Sequence, residues 1–379
     1  VTGRTTTPYF AELFRKTEAL GGFFNAHLHL DRTGTYEATL KLLAEGGRSA
    51  SSLSLSKKHS LIPLIHSSDC YEPDRLEARV DDYVEKLIGT GTTRADTVVD
   101  VTPDRVGLDA LDRCLRIKHR RSGQIDFRVG AYTPLGFRDD EPRRWSLLEE
   151  GAVIADFIGA LPERDDCRDY PSHIGFEESC RRVIQLSARL EKPIHLHVDQ
   201  KNIRSEGGSE VALRLLRELD IGTPSDSEPL VWLVHVISPS TYDESRFHAL
   251  IEGLLDRNVG VICCPSAAIS MRQVRPFSAP THNSIARVLE MLAAGVQVRI
   301  GSDNVCDITS PAGTIDLLDE IFVLSNAVRY YDPDILAKLA AGRRLDENER
   351  ARVAAHLEED ADEVAAVVRN NQNTGQIPE

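Results

Sequence analysis

The sequence predicts a (β/α)8, TIM-type barrel with a helical C-terminal extension. Three observations predict it. Eight short apolar runs recur between about residues 23 and 330, amphipathic stretches separate them, and histidines and an aspartate gather where several runs end. The strand candidates are Phe23–His29, Thr93–Val101, Ile125–Tyr132, Val153–Gly159, Pro193–Val198, Leu230–Val236, Val259–Cys264 and Val296–Ser302. Several are rich in Val and Ile without clean alternation, as strands buried on both faces are. Strand alternating with helix implies right-handed βαβ units and a parallel sheet. Eight such units suit a closed barrel, although by count alone they also suit an open doubly wound sheet.

The helical patterns between strands include Phe176–Leu190, Glu210–Leu219, Tyr242–Arg257 and Asn283–Ala294. One connection breaks the rhythm: roughly sixty residues, Leu30 to Thr92, separate the first two strands, far more than an ordinary βα loop. That insertion reads as a functional rim or as a surface excursion. Beyond residue 330 the pattern is helical and charged, at Asp332–Ala341 and Asp346–Arg369. With neither repeat nor low-complexity linker, the simplest division is one domain over 1–379: a barrel at about 20–330 and an extension at about 331–379.

Composition narrows the function. Of 379 residues, 41% are hydrophobic and 27% charged, which suits a globular chain with a sizeable core. A formal net charge of −14 disfavours nucleic acid or an anionic membrane surface as the main partner. A small molecule is the expected one, and a homo-oligomer is compatible. No apolar run approaches the roughly 18 residues of a membrane span. The opening VTGRTTTPYF shows no signal-peptide core, although a numbering that begins at valine leaves a trimmed leader open. The 7 cysteines are scattered, with no C-x-x-C pair, which fits a reducing cytoplasm.

Chemistry concentrates at strand ends. In Asn25-Ala-His27-Leu-His29-Leu-Asp31 the two histidines are two apart, so they share one side of the first strand. Pro193-Ile-His195-Leu-His197-Val-Asp199-Gln200 repeats the arrangement at the fifth, His235 ends the sixth, and Asp303 follows the eighth. Each motif alone is ordinary, since core histidines are common. Together they lie where parallel-barrel active sites lie, and the eighth strand closes beside the first. Three imidazoles and a carboxylate suit one divalent cation, zinc or iron(II), with a position left for water. Such a cation lowers the pKa of that water towards neutrality, Asp303 can take its proton, and His235 can hydrogen-bond the attacking oxygen. Hydrolysis at an sp² carbon follows as the reaction class.

At this point the chain resembles the amidohydrolase superfamily, and within it the cytosine deaminase-like branch. The resemblance runs through NAHLHLD (25–31), GTTRADTVVDV (91–101), ADFIGALP (155–162), HLHVDQ (195–200), VHVIS (234–238), CCPS (263–266) and IGSDNVCD (300–307). It implies His27, His29, His197 and Asp303 as ligands of a single metal, with His235 beside them, and no lysine ends strand four to bridge a second metal. Three departures matter. Gln200 stands where deaminases of the branch carry a proton-shuttling glutamate, and an amide cannot transfer protons near neutral pH. The branch's cytosine-binding glutamine is missing from Tyr132-Thr-Pro134-Leu-Gly136. The small β-sandwich that both chain ends form in most relatives has no room here.

The implied activity is a metal-dependent hydrolysis of a non-peptide C–N bond in a small heterocycle. Deamination of a heterocycle other than cytosine is one form; imidazolonepropionase-like opening of an amide, cyclic or linear, is the alternative that Gln200 favours. A non-catalytic metal-binding barrel is the third reading. Gln200 joins Asp303 and His235 as a catalytic candidate, while Asn304, Tyr132 and Asp156 are substrate-binding candidates at strand ends, as is Asp100. Asp199 reads as a helix cap or an orienting group. Arg32, Arg272 and Arg275 could hold an anion, solvated surface arginine being the commoner case. His195 is expected one layer below the metal; His59, His66 and His282 read as surface or structural.

Overall fold

A computed structural model describes residues 7–43, 50, 53–271 and 285–373. Arg272, Arg275 and His282 lie outside the described residues, as does the start of the expected helix Asn283–Ala294.

Eight parallel strands form one sheet in the order β1 to β8: Phe23–Leu28, Thr92–Asp100, Asp126–Thr133, Phe157–Ala160, Ile194–Val198, Val231–His235, Gly260–Cys263 and Val298–Ile300. β8 meets β1 through a parallel bridge between Leu28 and Asp303, where Asp303 N donates to His27 O (2.9 Å) and His29 N to Asp303 O (3.3 Å). Gly301 permits that closure, because a Cβ there would lie 2.7 Å from His27 Cβ and 2.8 Å from its backbone nitrogen. The fold is therefore the expected (β/α)8 barrel, and among the described residues every strand belongs to it.

The apolar residues divide into shells. Phe24, Ala26, Trp232, Val234, Ile262 and Cys264 form one buried cluster within the barrel, and Val98, Tyr132, Phe157 and Leu161 another. A larger cluster lies between sheet and helices. The helix Pro73–Gly89 shows why that layer forms: Leu76, Val80, Val84 and Leu87 repeat at helical spacing and are all buried. At the chain's end, Pro333–Ala340 is capped by Asp332, and Arg344 Nε donates to Gln297 Oε1 at 2.9 Å, fixing this segment to the barrel. No described helix is long and apolar enough to cross a membrane.

One strand differs from expectation. Val153 and Ile154 end the helix Arg143–Ile154 instead of opening β4, and Val153 is 61% exposed. Two β-branched residues in a last helical turn imitate a strand start. The shift places Asp156 before β4, at the N-terminal end of the barrel, so it is not a pocket residue. Its carboxylate accepts from Val129 N at 2.8 Å and pairs with Lys118. The long β1–β2 connection contains the short helices Leu55–His59, which lines the barrel mouth, and Ile62–His66, whose last residue reaches Asp100 at the end of β2.

Candidate metal centre

Local backbone geometry brings the four side chains together. The β1–β2 register shifts between Asn25 and Leu28, an irregularity of the kind that re-aims side chains. Ala26 packs in the inner cluster and Leu28 in the outer one, while His27 and His29 both reach the mouth. Asn25 ties this strand end to β8: its Nδ2 donates to Ser302 Oγ (2.8 Å) and its Oδ1 accepts from Ser302 N (3.0 Å). On β6, Trp232 and Val234 face inward, so simple alternation would turn His235 outward. A φ of 79° at His235 turns it into the mouth instead, and Asp303 adopts 59°. Left-handed backbone at a non-glycine residue costs on the order of 1–3 kcal/mol and is characteristic of functional sites.

His27, His29, His197 and Asp303 each place one ligand atom within 4.8 Å of all the others, and all four are buried. His27 Nε2 lies 3.0 Å from His197 Nε2, and His29 Nε2 lies 3.1 Å from Asp303 Oδ1. His197 Nδ1 donates to Ala160 O at 3.0 Å, which leaves its Nε2 lone pair facing the centre. His27 Nδ1 meets His195 Nδ1 at 3.3 Å, with His195 one layer deeper against Phe157. Burial, reinforced by the neighbouring histidines, pushes His27 and His197 well below the usual imidazole range. Burial raises Asp303, but its bond to His29 and the nearby His235 outweigh that and hold the carboxyl well below its ordinary value. Neutral imidazoles and an ionised carboxylate are the states a metal needs.

The donor set fits a divalent cation of zinc or iron(II) type. Two buried atoms at the site, His235 Nδ1 and Asn304 Oδ1, have no hydrogen-bond partner, which suits a centre completed by further groups. One contact must rearrange. Arg32 Nη2 donates to His29 Nδ1, which puts the proton of a neutral ring on Nε2; coordination through Nε2 requires the other tautomer and a withdrawn guanidinium.

A cavity of about 40 Å³ lies over the cluster, and Tyr132, Gln200, His235, Asp303 and Asn304 line it. The Tyr132 ring stands 5.3 Å from His29 and 5.2 Å from His197. Burial pushes its hydroxyl far above the ordinary phenol range, so it stays protonated. Asn304 Nδ2 donates to Asp303 Oδ1 at 3.1 Å. Asp199 behaves as a cap, accepting from Gly208 N (2.5 Å) and Ser209 N (3.0 Å) at the start of the helix Gly208–Glu218. Asp100 is fully buried and accepts from His66 at 2.9 Å.

Several residues escape sequence reasoning. Arg32, read as solvated, is 3% exposed and lies 3.5 Å from Asp100. His59 lines the cavity, and burial with nearby Arg32 pushes it down to about 3; Lys58 lines the cavity beside it. Both come from the β1–β2 insertion, where no strand end marks them. Glu163, just after β4, accepts from Gln200 N (3.2 Å) and Gln200 Nε2 (3.1 Å). Burial and then Glu206 raise its carboxyl well above the usual range. Its only sequence signal is its position after a strand whose start is misplaced by four residues.

No family profile matches the chain, and no curated protein does. Solved structures do. A 5-methylcytosine deaminase from Klebsiella pneumoniae liganded with phosphonocytosine superposes with a TM-score of 0.71 at 22% identity, over 85% of this chain and 74% of that one. An N-isopropylammelide isopropylaminohydrolase from Burkholderia multivorans gives 0.63 at 22%, over 88% and 74%. An atrazine chlorohydrolase from Arthrobacter aurescens complexed with zinc gives 0.55 at 16%, over 85% and 69%. At these identities the likeness establishes architecture: this chain folds as the same parallel α/β barrel as these three hydrolases.

Proposed function

We propose that this chain is a metal-dependent hydrolase of the amidohydrolase type, acting on a non-peptide C–N bond of a small heterocyclic substrate. The observation that carries the reading is the convergence of His27, His29, His197 and Asp303 at the C-terminal mouth of the barrel. A divalent cation held there, zinc in our reading and iron(II) as the other fit, supplies the Lewis acidity that makes water a nucleophile near neutral pH. Asp303 accepts the water's proton at its carboxylate and can return it to the leaving nitrogen. His235, turned inward by its backbone, is placed to hydrogen-bond the attacking oxygen and steady charge on the tetrahedral carbon. Tyr132 and Asn304 are placed to orient the ring.

Gln200 decides between two forms of the reaction. One Nε2 hydrogen goes to Glu163 at 3.1 Å, which fixes the amide and leaves its carbonyl oxygen to accept from a substrate N–H. An acceptor that carries no proton suits a ring amide, where Asp303 alone can protonate the departing nitrogen. Deamination of a heterocycle remains the other form, in keeping with the deaminases that share the fold. Cytosine itself fits neither Gln200 nor the Tyr132–Gly136 segment. A reducing, cytoplasmic setting belongs to the same reading, since all seven cysteines are unpaired.

Metal analysis after reconstitution tests the centre: about one equivalent is expected, and less than roughly half an equivalent of any transition metal overturns the proposal. Assays over heterocyclic amines, lactams and cyclic ureas then separate the forms, since only deamination releases ammonia. Metal-dependent turnover of any of them excludes a non-catalytic barrel.

A further inference from the structure

Lys58 stands on the helix Leu55–His59, part of the long insertion after β1. It lines the cavity over the metal cluster and also a larger outer cavity of about 520 Å³, so it sits in the partition between them. The half-buried ammonium donates to Thr309 O at 3.0 Å. Among the described residues no carboxylate comes within 4.0 Å of it. Asp307, whose charge reaches it more weakly, spends Oδ1 on Thr309 N (2.8 Å), Thr309 Oγ1 and Ser310 N (2.9 Å).

The other groups of the inner wall are balanced differently. Arg32 is fully buried, but Asp100 lies 3.5 Å away and Asp31 also faces it. His59 is held neutral by burial. Among the described residues lining the inner cavity Asp303 is the one carboxylate, and it belongs to the metal cluster. A divalent cation together with Lys58 therefore confronts a single negative charge. A partly desolvated ammonium with no described carboxylate at ion-pair distance is unfavourable, and burial accordingly lowers the Lys58 pKa against the weaker pull of Asp307.

We propose that the substrate carries a carboxylate and that Lys58 binds it at the boundary of the two cavities, holding the scissile C–N bond over the metal cluster. The proposal rests on the hydrolase reading for the reaction, though not for the anion subsite itself. A carboxylate suits the site better than a phosphoryl group, because a single lysine provides few donors for a phosphate. Lys58 lines both cavities, so the anion would lie towards the outer one, with the reacting ring directed inward. This makes the insertion part of substrate selection.

The test is calorimetric binding to the metal-loaded full chain of three matched pairs: uracil and orotate, hydantoin and hydantoin-5-acetate, 2-pyrrolidone and pyroglutamate. In at least one pair the acid is expected to bind about tenfold tighter or better. Lys58→Met should abolish that preference and Lys58→Arg should keep most of it, both with unchanged thermal midpoint and metal content. Equal binding or no binding in all three pairs overturns the proposal, as does a preference that survives Lys58→Met. Inorganic phosphate displacing the acid equally well at equal concentration would overturn the carboxylate assignment. Metal content of the same samples keeps the two proposals apart. Carboxylate preference without metal removes only the hydrolase, and metal without preference removes only the subsite.

Discussion

At the C-terminal mouth of the barrel, His27, His29, His197 and Asp303 crowd together, with burial holding His27 and His197 neutral, and two neighbouring polar atoms lack hydrogen-bond partners. At the opposite end, inside the same barrel, Asp96 lies 3.7 Å from Arg94 and 3.5 Å from Arg128. Arg94 covers Phe24 at 4.0 Å, and Arg299 covers Trp232 at 3.8 Å while reaching Glu228 at 2.5 Å. Both clusters are buried and polar, yet they are built oppositely. The lower one sets each charge near an opposite charge or an aromatic face, although both oxygens of Asp96 and the Nε atoms of Arg94 and Arg299 make no hydrogen bond. The upper one gathers the ligand atoms of three imidazoles and a carboxylate around one point, and Arg32 reaches only the outer nitrogen of His29. His195 touches both, facing His27 above, while burial and the arginines below keep it neutral. Burial of polar groups therefore does not mark a site; convergence of unbalanced lone pairs does.

The largest expected effect breaks the upper cluster. His27→Ala and His197→Ala should each leave below roughly a tenth of an equivalent of metal by elemental analysis, with turnover lost. His235→Asn should keep the metal and lower turnover by about 10²–10³-fold, the usual scale for losing a transition-state hydrogen-bond donor. Wild-type rates in that variant would remove its assigned role. Asp96→Asn, in the lower cluster, should cost about 3 kcal/mol in denaturant unfolding while metal content of the folded protein stays unchanged. Metal loss there would mean the two ends are not independent.

A third network sharpens the comparison, because it sits beside the mouth yet follows the lower cluster's rule. His66 bridges Asp100 (2.9 Å) and Asp104 (2.6 Å), and although burial disfavours its charge, these carboxylates raise it to about 9. A raised folded pKa gives stability that is full below the unfolded value near 6.5 and is lost as pH rises through about 9. Unfolding free energy should therefore fall by about 3 kcal/mol between pH 6.5 and 9.5 relative to His66→Gln, whose profile lacks this component. The smallest effect is at Asp156. Asp156→Asn should leave turnover unchanged and cost under about 1 kcal/mol, as a partly exposed ion pair does.

Strand periodicity and strand-end chemistry made the barrel and the metal cluster legible, because both depend on short-range spacing and on one topological rule. Asp156 misled for a local reason: Val153 and Ile154 are β-branched residues that finish a helix. Arg32, Lys58, His59 and Glu163 were not legible as cavity residues. Their positions depend on how the insertion and the turn after β4 fold back over the mouth, and no periodic pattern encodes that return. The histidine His66 shows the same limit, since its carboxylate partners are more than thirty residues away in sequence.

By itself, then, the sequence determined the eight-unit barrel and the face on which His27, His29, His197, His235 and Asp303 would gather. Alternation and the parallel βαβ rule propagate from neighbour to neighbour, so a linear reading can follow them. The tertiary structure alone decided that His235 turns inward through left-handed backbone, that Glu163 engages Gln200, and that Lys58 reaches the cavity wall with no described carboxylate at ion-pair distance. Those outcomes come from packing and charge balance among segments distant in the chain, and such balances exist only once the segments have met.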